Sequence, residues 1–220
     1  MRMRRKKNLT ARLEAVSDIL IAQPEQCAGR WISDFMPGAG ELLVELGCGL
    51  GSFTCGLSAE KPGALVAGIE KVQDALVVAA ERAKKSGEAN ARFVAGDAGE
   101  LPKWFSPGEI DGLYINFCDP WPHWKQARLR LVARGFLEKY AALISPDGAL
   151  YFKTDNAPLF EFAQKELRES GWSIVQLSHD LPCGGGNIPT DYELKFRAAG
   201  VPIRFLAARP PEKGQAKAFF

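Results

Sequence analysis

The sequence contains no run of about 20 uninterrupted apolar residues, the length that a helix needs to cross a bilayer. Its basic first residues are followed by Arg12, Glu14 and Asp18, where a secretory signal requires an apolar segment. Neither membrane insertion nor secretion is therefore expected, and we predict a cytoplasmic protein.

Side chains that bind metals or form disulfides are scarce. The chain has two histidines and five widely spaced cysteines, and no two cysteines form a Cys-x-x-Cys pair. An odd number of scattered cysteines favours free thiols in a reducing compartment over a disulfide framework. We therefore expect no structural disulfide and no metal site.

Basic charge is concentrated at the N-terminus, although the net charge is only +2. Residues 1–7 contain five of the 28 lysines and arginines, which leaves 23 basic against 26 acidic side chains in the rest of the chain. A basic arm of this kind can contact phosphates, or it can be a solvated tail.

From Glu41 onward, short apolar runs alternate with longer helical patterns. The runs lie at 42–46, 64–69, 91–95, 110–116 and 149–153, and the helical patterns at 52–60, 72–85, 128–143 and 159–170. Strands buried on both faces that alternate with helices predict a doubly wound α/β fold with a mostly parallel sheet. Two further runs, 172–177 and 203–208, predict an antiparallel closing strand and seven strands in all.

The chain shows no internal repeat and no linker, so its 220 residues, 46% of them apolar, predict one main domain. We assign residues 41–210 to that domain. Residues 1–40 form the basic arm and helices packed on the core, with helical patterns at 8–22 and 24–36, and residues 211–220 form a C-terminal tail.

The densest functional signal is the segment Glu45-Leu46-Gly47-Cys48-Gly49-Leu50-Gly51, directly after the first strand. Glycines here let the backbone turn sharply and approach a ligand closely. The spacing differs from the Gly-x-Gly-x-x-Gly of dinucleotide binders, and a carboxylate before the first glycine would repel a pyrophosphate. The same carboxylate suits the α-ammonium end of S-adenosylmethionine, which this segment favours over a nicotinamide cofactor.

Two further acids follow the next two strands. Glu70 ends the second strand, where an acid can accept hydrogen bonds from both ribose hydroxyls. Asp97 ends the third strand and can accept from the adenine amino group, although a single acid there can also be a helix cap. Ligands of open α/β sheets bind at this edge. The predicted cofactor-binding residues are Glu45, Gly47, Gly49, Gly51, Glu70, Asp97 and Ala98.

The fourth strand ends in Asn116-Phe117-Cys118-Asp119-Pro120-Trp121-Pro122. Two prolines stiffen this loop, which suits a side chain that must hold its position. Lys125, Arg128 and Arg130 follow on an emerging helix, and such a cluster can hold phosphates or be a solvated helix face. Polar segments at 152–156 and 190–196 stand where the fold leaves its cleft open.

These segments together resemble the bacterial tRNA (guanine-N7-)-methyltransferase family. The matching motifs are Glu-x-Gly-x-Gly-x-Gly-x-Phe from Glu45, Asn-Phe-x-Asp-Pro-Trp-Pro from Asn116, Phe-Lys-Thr-Asp-Asn from Phe152 and Thr-x-Tyr-Glu-x-Lys-Phe from Thr190. The resemblance covers residues 41–208. It implies a Rossmann-like methyltransferase fold, S-adenosylmethionine as cofactor, and guanine 46 of the tRNA variable loop as target.

The resemblance also implies roles for individual residues. Asp119 is the implied catalytic acid and also lines the cofactor site. The implied substrate-binding residues are His123, Asp155, Thr190, Asp191, Tyr192 and Glu193, and the implied RNA contacts are Lys125, Arg128 and Arg130. From the chemistry of guanine, Glu193 or Asp155 is the candidate acceptor for the N1–H and amino donors.

The chain departs from the family's usual pattern in its basic segment. His123 stands where lysine is usual, and residues 126–131 keep two of three basic positions and lose a histidine. A methyltransferase of a small molecule or protein would fit this thinner charge, and a non-catalytic RNA-binding relative is a third alternative, against which the intact acids argue. We expect tRNA as partner, no membrane, no metal, and a monomer or a homodimer.

Overall fold

The computed structural model describes residues 6–184 and 186–212. The strands are β1 Glu41–Leu46, β2 Ala64–Glu70, β3 Ala91–Ala95, β4 Ile110–Asn116, β5 Ile144–Thr154, β6 Ser173–Ser178 and β7 Arg204–Arg209. The α-helices are α1 Leu9–Glu14, α2 Trp31–Phe35, α3 Ser52–Glu60, α4 Gln73–Ser86, α5 Leu101–Trp104, α6 Arg134–Leu143, α7 Ala157–Glu169 and α8 Asp191–Ala198. Short 3-10 helices span Pro24–Gln26, Ala98–Glu100 and Trp124–Leu129.

The predicted terminal segments lie only partly within these ranges. Residues 1–5 of the basic arm and residues 213–220 of the tail are outside the described residues. None of the helices within the described ranges has the length and apolar character of a membrane-spanning segment.

The chain divides into two compact units, and the first comprises the residues up to Ser106 together with Ile188–Thr190. Its strands run parallel in the order β3-β2-β1, with Leu43 beside Val66 and Ile69 beside Val94. β1 and β2 are buried along nearly their whole length, which is typical of parallel strands covered by helices. Helices α3 and α4 pack against this part of the sheet.

The N-terminal segment differs from the helix predicted over residues 8–22. Helix α1 ends at Glu14, and Leu20 then forms an isolated parallel bridge with Phe93 of β3. Backbone hydrogen bonds of 2.8 and 2.9 Å join the residues on either side of Leu20 to Phe93. The helix stops because the segment bonds the backbone of β3, which is an edge strand of the sheet.

The helix predicted over residues 24–36 is also interrupted. A 3-10 turn at Pro24–Gln26 and helix α2 are separated by Gly29, whose φ is +77°. This left-handed conformation ends a right-handed helix, and glycine adopts it without the steric cost that a Cβ would bring.

The second unit comprises Pro107–Asn187 and the chain from Asp191 onward. Its strands run in the order β4-β5-β7-β6, with β4 and β5 parallel and Leu113 beside Leu150. β7 is antiparallel to both β5 and β6, which confirms the predicted antiparallel closing strand. The seven strands of mixed direction, with helices between them, confirm the α/β fold class.

The helix predicted over residues 128–143 begins later than expected. Trp124–Leu129 is a 3-10 helix, Arg130 and Ala133 are extended with ψ values of 131° and 152°, and α6 starts at Arg134. The Arg130 side chain turns back onto the preceding loop, and this accompanies the break. Helix α8, between residue 190 and β7, was not predicted by the apolar pattern.

Candidate active site

The glycine loop, residues 47–51, follows β1 in the first unit. Its glycines have φ values of +72° (Gly47), +55° (Gly49) and +76° (Gly51). A Cβ on Gly47 would meet no atom within 4 Å, and one on Gly49 would meet only a backbone oxygen at 3.9 Å. A Cβ on Gly51 would instead lie 2.7 Å from Ala79 of α4. The first two glycines therefore leave open space beside the backbone, and the third allows close helix packing.

Two acids hold and border this loop. Glu45 is buried and its Oε2 accepts a hydrogen bond from the Thr54 hydroxyl at 2.5 Å. The Glu70 carboxylate accepts from the Gly49 amide at 3.1 Å with one oxygen and from the Val72 amide at 2.8 Å with the other. A carboxylate oxygen can accept two hydrogen bonds, so Glu70 retains capacity for the two hydroxyls of a ribose.

Asp97 caps the 3-10 helix that begins at Ala98. Its Oδ1 accepts from the Gly99 amide at 2.8 Å, while the side chain is exposed to solvent. The Gly96 amide donates to the Glu70 carbonyl at 3.1 Å, which fastens the end of β3 to the end of β2. The helix-cap interpretation therefore holds for one oxygen of Asp97, and its other oxygen faces no donor within the described part of the chain.

These features fit S-adenosylmethionine. An open glycine backbone, a carboxylate with capacity for a ribose diol and an exposed carboxylate one strand further along match the amino-acid, ribose and adenine parts of that molecule. Of the residues expected at the guanine side, Thr190 belongs to the first unit, where it is buried.

The Asp119 loop, residues 117–122, follows β4 in the second unit. Phe117 and Trp121 have φ values of +52° and +41°, a left-handed conformation that costs a non-glycine residue about 1–3 kcal/mol. The Phe117 amide donates to the Lys153 carbonyl at 2.9 Å. The Asp119 side chain is exposed, and among the described residues no hydrogen-bond donor or cation contacts its carboxylate. The loop thus presents one unpaired carboxylate on a strained backbone.

Cys118 lies directly beside Asp119 but has the wrong ionisation state for a nucleophile. Burial, and to a lesser extent the neighbouring Asp119 carboxylate, raise the pKa of the Cys118 thiol to about 12. With this raised pKa, the thiol stays protonated at neutral pH. Because the thiolate is the reactive form, the protonated Cys118 is a poor nucleophile. A methylated cysteine intermediate is therefore disfavoured.

Glu193 sits at the centre of a polar network formed by Lys153, Asn187, Glu193 and Arg197. Its Oε2 accepts from Lys153 Nζ at 2.9 Å, and its Oε1 accepts from Asn187 Nδ2 at 2.6 Å and from Arg197 Nε and Nη2 at 2.9 and 2.8 Å. The Lys153 and Glu193 side chains are 5% and 0% exposed. Burial raises the pKa of the Glu193 carboxyl, but the Lys153 charge and the hydrogen bonds outweigh it, so its pKa is lowered.

Asp155 directly follows β5 in the second unit. Asn116 of β4 pairs with Lys153 of β5, so Asp119 and Asp155 follow neighbouring parallel strands at the same edge of the sheet. The backbone carbonyl of Asp155 accepts from Arg204 Nη1 at 2.8 Å. Its half-buried carboxylate has no partner in the described ranges.

Two of the remaining predicted residues, Asp191 and Tyr192, are exposed in the first turn of α8. Lys125 and Arg128 are exposed in the 3-10 helix after the Asp119 loop, and His123, the extended residue before that helix, is also exposed. Trp124 is 80% exposed, and Lys125 Nζ lies 5.6 Å from the centroid of its ring.

Sequence reasoning gave no role to Lys153, Asn187 or Arg197. A usable signal was present, because a lysine inside the apolar run of β5 requires a buried counter-charge. Within residues 6–184 and 186–212, no three His, Cys, Asp or Glu side chains are grouped so that they could hold a metal ion.

Comparison with known proteins identifies the family of the chain. Residues 39–206 match a family model described as "Putative methyltransferase". The tRNA (guanine-N(7)-)-methyltransferase of Bacillus velezensis is 38% identical over 92% of this chain and 94% of its own length. The proteins of the same name from Bacillus subtilis and Streptococcus suis are 37% and 34% identical, over 92% and 95% of this chain and 96% and 99% of their own.

Solved structures show the same fold at low sequence identity. The 16S rRNA methyltransferase KamB aligns with a TM-score of 0.63 at 14% identity, over 82% of this chain and 93% of that one. A phosphoethanolamine N-methyltransferase from Haemonchus contortus, in complex with S-adenosyl-L-methionine, aligns with a TM-score of 0.52 at 16% identity, over 82% of this chain and 51% of that one. On the family model and the relatives' identity, the chain belongs to the tRNA (guanine-N(7)-)-methyltransferase family, as its motifs predict.

Proposed function

We propose that this enzyme transfers a methyl group from S-adenosylmethionine to N7 of guanine 46 in the variable loop of tRNA, giving 7-methylguanosine. The relatives that share most of its length carry the name of this activity. The observation that carries the proposal is the exposed, unpaired Asp119 carboxylate on a stiff loop after β4. The free cysteines support a cytoplasmic location for the reaction.

The cofactor supplies an electrophilic methyl carbon on a sulfonium when it is bound. Guanine N7 has an in-plane lone pair that is unprotonated at neutral pH, so no general base is needed. With the cofactor bound, transfer of its methyl group to N7 would leave positive charge on the guanine ring. Asp119 stabilises that charge from a position fixed in advance, and such preorganised electrostatic stabilisation is usually the largest single contribution to catalysis.

Guanine recognition is assigned to Asp155 in preference to Glu193. The base offers adjacent N1–H and amino donors, which a single carboxylate can accept together. Both oxygens of Glu193 are already engaged by Lys153, Asn187 and Arg197, whereas the Asp155 carboxylate has no partner in the described part of the chain. An unpaired acceptor left by adenine would cost about 1–3 kcal/mol, which disfavours that base.

Contact with RNA is assigned to the exposed segment after the Asp119 loop. Lys125 and Arg128 supply positive charge, and Trp124 supplies an aromatic surface on which a base can stack. Because the target atom of a folded nucleic acid has to reach the active site, the base is expected to leave its stack before transfer.

The experiment uses unmodified tRNA transcript and S-adenosylmethionine labelled in its methyl group, followed by nuclease digestion and mass spectrometry. Label is expected in 7-methylguanosine alone. A transcript with 7-deazaguanine at position 46 has a carbon in place of N7 and is expected to remain unlabelled. Label in another nucleoside, or in the deaza transcript, contradicts the proposal, and an absence of label in both transcripts rejects it.

A further inference from the structure

The Arg130 side chain lies against the backbone of the Asp119 loop. Its Nε donates to the Pro120 carbonyl at 2.9 Å, and its Nη2 donates to the Trp121 carbonyl at 3.0 Å. The guanidinium carbon is 4.3 Å from the centroid of the Phe162 ring on α7. One rigid plane therefore binds two consecutive peptide groups while it rests on an aromatic ring.

These peptide groups come immediately after Asp119, at a strained part of the chain. Trp121 has a left-handed φ of +41°, a conformation that persists only where the surroundings hold it. At the other end of the loop, the Phe117 ring stacks on Tyr192, with centroids 6.4 Å apart. Asp119 is thus held between two anchors, and the side chain of Arg130 forms one of them.

We propose that Arg130 is a positioning residue: its guanidinium fixes the Asp119 loop and thereby the Asp119 carboxylate, and it does not serve as a phosphate ligand. This separates Arg130 from Lys125 and Arg128, which are exposed, whereas Arg130 is half-buried and two of its donors are used within the protein. The proposal rests on the proposed role of Asp119 in methyl transfer.

Substitution of Arg130 by lysine distinguishes positioning of the Asp119 loop from binding of a phosphate. An ammonium is a compact point charge that can still meet a phosphate, but it cannot present two donors in a fixed plane to two carbonyls. If Arg130 bound a phosphate, Arg130→Lys would keep that contact. If Arg130 anchors the loop, Arg130→Lys should lose the anchor as Arg130→Met does.

The first test compares Arg130→Lys, Arg130→Met and the exposed Arg128→Met in single-turnover methyl transfer with saturating tRNA and cofactor. Both Arg130 variants are expected to react about 10- to 100-fold more slowly, because displacement of a catalytic group by about 1 Å can cost 100-fold. Their tRNA affinity and its salt dependence should match the wild type. Arg128→Met, which removes a proposed RNA contact, should instead weaken tRNA binding and reduce the salt slope by about 1.

The second test reports on the loop without any methyl transfer. Cys118 precedes Asp119 and its thiol is held protonated by burial, so N-ethylmaleimide should label it slowly in the wild type. Release of the loop should raise its labelling rate several-fold in both Arg130 variants, measured by peptide mass spectrometry. The exposed Cys183 serves as reference in the same digest.

The outcomes separate this inference from the proposed function. Full activity of Arg130→Lys, or weaker tRNA binding of Arg130→Met at an unchanged rate, overturns the positioning role. If the wild type itself methylates nothing, the proposed function fails, and unchanged Cys118 labelling in both variants then still refutes the loop anchor. Thermal melts identify a variant that does not fold. If Arg130→Met does not fold, the rate and the Cys118 labelling of Arg130→Lys alone decide whether Arg130 positions the loop.

Discussion

Glu70 and Asp97, the two acids beside the glycine loop in the first unit, accept hydrogen bonds from backbone amides, whereas the Glu193 carboxylate of the second unit is engaged by three side chains. Glu70 accepts from amides that are 2 and 21 residues away in the sequence, and Asp97 accepts from an amide that is 2 residues away. Glu193 pairs with Lys153, which is 40 residues away. The first arrangement leaves carboxylate lone pairs for a ligand, and the second closes a carboxylate off from solvent. A functional acid is thus better recognised by its unused acceptor capacity than by its motif.

The largest effect expected from this contrast is on stability. Lys153→Met leaves the buried Glu193 without its main counter-charge, and breaking a buried pair from one side costs about 3–5 kcal/mol. Lys165→Met removes an exposed lysine whose nitrogen lies 3.8 Å from Glu169, and such a pair contributes about 0–1 kcal/mol. Urea unfolding of both variants measures the difference. Equal free energies of unfolding would show that the network does not stabilise the second unit.

The next effect is on catalysis and concerns Asp119, the acid that we propose acts in methyl transfer. Asp119→Asn keeps the shape of the side chain and removes its charge, so methyl transfer is expected to slow by about 10²–10³, the size of effect seen when one preorganised group is removed. Cofactor binding should persist. Asp147→Asn, an exposed acid near the opposite end of β5 from Asp155, is the control and should react at the wild-type rate. Near-normal turnover of Asp119→Asn rules out its assigned role.

A smaller effect is expected at Asp155, the proposed guanine acceptor. Asp155→Asn replaces one acceptor oxygen with a donor that faces the donors of guanine, and the loss is about 1–3 kcal/mol, or roughly 5- to 150-fold in kcat/KM for tRNA. The free energy of unfolding should change little, because the carboxylate has no partner in the described ranges. If Asp155→Asn keeps its full kcat/KM, guanine is recognised elsewhere.

The smallest effect is on the pH dependence of stability. The pKa of Glu193 is lowered from its ordinary value of 4.5, so the stability that its ionised form contributes is complete above pH 4.5 and is lost as the pH falls through the lower pKa of the folded state. Glu193→Gln should lack this acid-side loss. Glu81, whose pKa is lowered mainly by the hydrogen bond from Arg12, is far more exposed, and Glu81→Gln should change the profile less. Thermal melts from pH 7 to pH 3 measure how the melting temperature of each variant depends on pH. The same pH dependence in both variants would show that Glu193 contributes no more to it than Glu81 does.

The sequence predicted the strands well because burial on both faces leaves a continuous apolar run. Residues 91–95 and 110–116 were predicted with the bounds that the structure shows. The helix ends were predicted less well where side chains bind distant groups, as at Arg130, or where backbone pairing overrides helical periodicity, as at Leu20. Such contacts join residues that no local pattern connects.

The site was predictable to the same extent. The glycine loop and Glu70 could be identified because their geometry is built from neighbouring residues, although their binding roles stay predictions. Glu193 lies in the Thr-x-Tyr-Glu-x-Lys-Phe motif, which could not show that Lys153 and Arg197 engage both of its carboxylate oxygens. The left-handed conformations of Phe117 and Trp121 have no sequence signal, since neither residue is glycine or asparagine.

We assign cofactor binding to Glu70 in the first unit and guanine binding to Asp155 in the second. Calorimetric titration with S-adenosylhomocysteine, the demethylated cofactor, against the wild type, Glu70→Gln and Asp155→Asn tests this assignment most directly. We expect the wild type to bind, Glu70→Gln to bind about 10- to 100-fold more weakly because a charged acceptor is lost, and Asp155→Asn to bind as the wild type does. An absence of binding to the wild type, or an equal loss of affinity in both variants, contradicts this assignment.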